Sequence, residues 1–256
     1  MRFHLPKPLH GWRAFIGEVG VIVLGVLIAL MAQQVAEAVG WRQQVDEARD
    51  SLSFELADAI GQANVRQALS PCIERRLDEL SSILDRSSQD GRLPPVGAIG
   101  SPPYFTWVSA TWETTMASQT ASHFGRRELN GLARIYEYVN VLKGAAPREL
   151  DVWTRLYSAV GPGRPIAPAE VTTLRRDIGE ARLLDQLITV SAIRVRQIAD
   201  REHLEYNPDF VRQRTVPQAS RSLCDPIPRR APSDYGHAPV ENAVQHALES
   251  PLRGPS

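Results

Sequence analysis

Residues 19–36 read VGVIVLGVLIALMAQQVA, eighteen positions without a charge, and the helical pattern carries on unbroken into WRQQVDEARDSLSFELADAI at 41–60. As a helix the apolar run is about 27 Å long, close to the ~30 Å hydrocarbon core of a bilayer. Phe15 and Ile16 extend it, Glu18 falls near one interface, and Trp12 and Trp41 flank it, where amphipathic aromatics tend to sit. Arg2, Lys7 and Arg13 precede the run with no acid before Glu18. Glu37, Asp46, Glu47, Asp50, Glu55 and Asp58 follow it, against Arg42 and Arg49. The positive-inside rule then places the start of the chain in the cytoplasm and the rest outside, which in a bacterium with two membranes is the periplasm. The expected layout is a cytoplasmic N-terminus at 1–14, a transmembrane anchor at 15–38, a periplasmic helical bundle at 39–204 and a Pro-rich tail at 205–256.

Two alternatives compete for the apolar run. Ala36-Glu37-Ala38 is an A-x-A site, so the run can be a signal peptide cleaved after Ala38; the body is exported in either case. A buried core helix of a cytosolic protein accounts less well for the length and the one-sided charges. Gly25 and Ala29 form a small-xxx-small pair that lets two membrane helices approach closely, although ordinary Gly and Ala usage in such a helix explains it too.

After the membrane the apolar residues keep helical spacing. Val45, Ala48, Leu52, Leu56, Ala59 and Ala63 make one face, predicting a first helix to about Leu69. Ser70-Pro71 then predicts a new helix, with Ser as cap and Pro at the first position, carrying Ile73, Leu77, Leu80 and Leu84. Residues 87–103, rich in Gly, Pro and Ser, read as a surface loop. Further helices are expected over 106–120, over 126–143, from Pro147 to about Val160, and from Pro168 to about Leu204, with a turn at 161–165. No segment sustains the alternation of a strand, so the fold class is all-α, a bundle. The tail holds eight prolines. It is expected to be mostly extended, with one short helix near Val240–Leu248.

Composition narrows the function. Among 256 residues, 43% are hydrophobic and 23% charged, which excludes a disordered chain. Lys+Arg and Asp+Glu are both 29, so there is no basic surplus for a nucleic-acid binder. Cys72 and Cys224 are the only thiols. In an oxidising compartment they are expected to pair, stapling the tail to the start of the second helix, with two buried free thiols as the alternative. None of the six His forms a metal motif, and Glu202-His203 point about 100° apart on a helix. No cofactor is called for, and no catalytic constellation is present; Ser122-His123 lacks a nucleophile elbow. Segment 106–124 is rich in hydroxyls, and Trp107, Trp112, Glu113 and Gln119 are its candidate lining for a small-ligand pocket. Close packing by small residues is the competing explanation.

The stretch GEVGVIVLGVLIALMAQQVAEAVGWRQQVDEAR at 17–49 resembles the anchor of a proteobacterial family of N-terminally anchored single-pass proteins catalogued as hypothetical. PCIERRLDEL, GRLPPVGAIG and TWETTMASQTASHFGR resemble the same set. The resemblance implies membrane attachment and a helical extracytoplasmic body, and no activity. The expected function is a non-enzymatic interaction or scaffold protein of the inner membrane, with the bilayer and a protein partner or a second copy as its partners. The alternative is a periplasmic ligand-sensing domain working with a partner.

Overall fold

The apolar run and the stripe that follows it belong to a single helix. A computed structural model describes residues 12–217, 220 and 222–228, so the helix expected near Val240–Leu248 lies outside the described residues. Helix α1 spans Trp12–Asp90, 79 residues, roughly 120 Å at 1.5 Å per residue. From Phe15 to Val39 every side chain is exposed. By length and composition this half could cross a membrane. From Val45 onward one face turns inward, through Leu52, Leu56, Ile60, Ala63, Leu69, Ile73, Leu77 and Leu84.

The helix boundary expected at Ser70-Pro71 does not exist: Pro71 lies inside α1. A proline in a helix interior removes one hydrogen bond and crowds the preceding turn, at about 3 kcal/mol. Burying Leu69, Ile73 and Leu77 on the same continuous face contributes about 1.5–3 kcal/mol each, which outweighs that cost. Pro71 itself is exposed. Pro71→Ala is therefore expected to stabilise the bundle by about 1–3 kcal/mol, read as a higher unfolding midpoint by circular dichroism in detergent. A loss of stability instead would mean that the chain needs the interruption.

The same correction applies to α3, Arg126–Leu156, one helix with Pro147 inside it where two were expected. Helix α4, Pro168–Glu202, matches its expected range within two residues. It packs against both α1 and α3. Ion pairs between the helices mark the register. Arg182 meets Asp78 and Arg175 meets Asp85 at 2.5 and 2.8 Å, so α4 runs antiparallel to α1. Arg155 meets Asp177 at one end of α3 and Arg127 meets Glu202 at the other, so α4 is antiparallel to α3 as well.

The fourth side of the bundle is not a helix. Pro94, Pro95, Pro102 and Pro103 keep the chain after Asp90 from continuing as one. Strand β1 (Arg92–Leu93) pairs antiparallel with β2 (Arg164–Pro165) just before α4. Leu93, Val96, Ile99 and Pro102 are then buried, and Val96 bridges to Gly161. This stretch, expected as a surface loop, is part of the core. It descends past Arg76, which donates to the carbonyls of Ala98 and Ile99, and past Gln62, which donates to that of Thr106.

Helix α2 is shorter than expected, Ala110–Ala117, followed by a 3-10 helix at Gln119–His123. Its start is set by another helix: Glu55 of α1 accepts from the Thr111 and Trp112 amides at 2.8 and 3.3 Å, two first-turn donors that have no partner within α2.

The tail climbs back along α1. Helix α5, Pro208–Gln213, begins at Asn207, whose Oδ1 accepts from the Asp209 and Phe210 amides. The tail was expected to be mostly extended, and this helix has no counterpart in the apolar spacing. Phe210 sits edge-on to Phe54, Arg214 pairs with Asp58, and Cys224 is bonded to Cys72 with Cα atoms 4.7 Å apart. Arg76 closes the strap: its buried guanidinium also donates to the carbonyls of Ser222 and Asp225. Burial lowers the pKa of that guanidinium.

Candidate functional site

The four residues expected to line a ligand pocket do not face one space. Trp107 is buried in the core. Trp112 is half-buried and stacks on Tyr136 of α3 with centroids 5.0 Å apart and planes 2° from parallel. Glu113 is exposed, accepting from Ser109 at 2.6 Å and Lys143 at 3.3 Å. Those two bonds, Ser109 first, hold its carboxyl below the ordinary range. Gln119 is exposed on the 3-10 helix beyond. Three of the hydroxyls are used locally: Thr115, Ser118 and Ser122 donate to the carbonyls of Thr111, Thr115 and Gln119. A hydroxyl bonded to its own helix is not presented to a ligand. Segment 106–124 is thus a wedge between α1 and α3.

Two other groupings carry chemistry. The first is a cleft of about 530 Å³ where α1 leaves its apolar half, lined among others by Glu37, Trp41, Arg42, Asp46, Arg49 and His123. The 3-10 helix brings the His123 ring onto Trp41, centroids 4.1 Å apart and planes 16° from parallel. Arg49 anchors the foot of the bundle. It donates to both oxygens of Glu128 at 2.7 and 2.9 Å and to Asp46 at 2.9 Å, and lies over the Phe124 ring. Glu128 holds the Arg49 guanidinium above its ordinary value. Arg42 is exposed and makes no ion pair among the described residues.

The second grouping is buried and joins all three long helices. Arg66 of α1 donates to Glu149 of α3 at 3.1 and 2.5 Å and to Asp185 of α4 at 2.6 Å. Ser70 donates to the other Asp185 oxygen at 3.1 Å. One guanidinium thus serves two carboxyls with almost no solvent. Burial is the largest influence on both acids and raises them above the ordinary carboxylate range, with Arg66 opposing it.

Neither grouping was among the expected site residues, yet each left a trace in the sequence. Arg66 falls three residues after Ala63 on the apolar face of α1. Glu149 falls between Ala146 and Val152 on that of α3. A charge on a buried stripe needs a partner. His123 stood out only beside Ser122, and its partner Trp41 lies in a distant part of the chain. His203 is the C-cap of α4 in the left-handed region, φ 52°, while Glu202 pairs with Arg127 and Arg134. Compared with protein-family models, curated proteins and solved structures, the chain has no match.

Proposed function

We propose that this chain is a single-pass protein of a bacterial inner membrane whose helical bundle stands in the periplasm and works as an interaction or scaffold module without chemistry of its own. The observation that carries this reading is the continuity of α1. An apolar half with every side chain exposed runs without interruption into a half that forms the bundle core. An exposed apolar surface of that size calls for cover by lipid or protein. The Cys72–Cys224 bond suits an oxidising compartment. The basic residues before the apolar run and the acids after it support the orientation. Leu183, Leu187 and Val190 supply an exposed apolar stripe on α4, at the spacing of one helix face, suited to contact with another protein.

Fractionation of cells expressing the full chain tests the proposal. The chain is expected in the membrane pellet after an alkaline wash, uncleaved, with its bundle digested when the outer membrane alone is opened. Recovery from the soluble periplasm with Val39 as the first residue would replace the anchor by a signal peptide. Protection of the bundle until the inner membrane is broken would put it in the cytoplasm.

A further inference from the structure

The cleft at the foot of the bundle has a position and a lining that no interaction-module role requires. Ala38, the last residue of the expected span, lines it, and Trp41 stands one turn farther along the same helix, about 4.5 Å. In a chain anchored by residues 15–38 that places the membrane end of the cleft in the headgroup layer, roughly 5–8 Å thick on each face of the hydrocarbon core. The lining carries both signs of charge. Asp46 and Arg49 are engaged with each other and with Glu128. Arg42 has no ion pair among the described residues, and Glu37 accepts only from the neutral Gln33. The stacked Trp41 and His123 form part of the cleft wall. A cation without an ion pair and a carboxylate with only a neutral partner, both lining one cleft, fit a ligand that carries a phosphate and an ammonium.

We infer that the cleft holds the headgroup of a zwitterionic phospholipid, with Arg42 on the phosphate and Glu37 on the ammonium. The inference rests on the membrane reading above. An anionic phosphatidylglycerol headgroup meets Arg42 equally well but brings no ammonium to Glu37, so the site discriminates between the two lipid classes. A bound headgroup between α1 and the 3-10 helix would fix the angle at which the bundle leaves the bilayer.

The test uses the full chain in nanodiscs of phosphatidylethanolamine and phosphatidylglycerol in roughly equal amounts, followed by native mass spectrometry of retained lipid. The wild type is expected to retain phosphatidylethanolamine over phosphatidylglycerol. Glu37→Gln/Arg42→Gln should lower that preference about tenfold or more, the size of one charge-assisted hydrogen bond. Both side chains are exposed, so the variant should keep its helicity, and circular dichroism checks this. Equal retention of the two lipids, or a preference unchanged in the variant, overturns the inference and leaves the anchor standing. Retention of soluble glycerophosphoethanolamine in a chain that retains no phosphatidylethanolamine overturns a lipid as the source of the headgroup. Failure of the chain to enter nanodiscs at all overturns the anchor and this inference together.

Discussion

Arg66→Met in the full-length chain is expected to cost about 3–5 kcal/mol of unfolding free energy, a large share of the roughly 5–15 kcal/mol typical of a domain. Removing the guanidinium strands two buried acids with no countercharge, and breaking a buried ion network from one side typically costs that much. The loss should be recoverable. Arg66→Met with Glu149→Leu and Asp185→Leu replaces the whole network by apolar groups, a change that is often neutral or stabilising. Denaturant unfolding in detergent, followed by circular dichroism, measures all of these. A cost below about 1 kcal/mol for the single variant would mean that the network contributes nothing to joining α1, α3 and α4.

The same network has a pH signature. Both carboxyls are raised in the folded protein by burial. A group of this kind favours the folded state while it is protonated. Its contribution is fully present below the ordinary carboxylate value near 4 and is lost as the pH rises through the raised folded value. The network alone therefore makes the bundle more stable on acidification from neutral toward about pH 4. Glu113, and Glu170 through its bonds from Arg164, are shifted the opposite way. For that reason the comparison is wild type against Glu149→Gln, whose stability should change less over this range.

Cys72→Ser/Cys224→Ser is expected to have the other large effect. The bond joins residues 152 apart. In the chain-entropy model a loop of that size restricts the unfolded state by about 5 kcal/mol, an upper figure because strain and residual structure subtract from it. The loss should also be local. The strap from α5 to Ile227 is held to α1 by Arg76 on the Ser222 and Asp225 carbonyls and by a few side-chain contacts. Hydrogen exchange should therefore rise first over residues 205–228, before α3 and α4. Uniform loss of protection, or none, would show that the strap is not a separate unit. Reduction of the wild type should reproduce the variant.

The helical class, the apolar run, the range of α4 and the pairing of two cysteines were all legible in the sequence. Each follows from periodicity or from counting, and these are local properties of the chain. The prolines misled for the same reason. Pro71 and Pro147 carry a local preference to interrupt a helix, and the burial of residues on either side of them outweighs it. The start of α2 was also out of reach, because Glu55, more than fifty residues away, caps its first amides. The contacts of segment 106–124 were not legible, because residue type says what a hydroxyl can bond, and the fold says what it does bond. Arg66, Glu149 and Asp185 each showed as a charge on an apolar stripe, but only the packing of three helices brought them to one point. The sequence by itself determined which faces of the chain avoid water. The tertiary structure alone decided which of those faces meet, since partners far apart in the chain are chosen by shape and charge at the moment of packing.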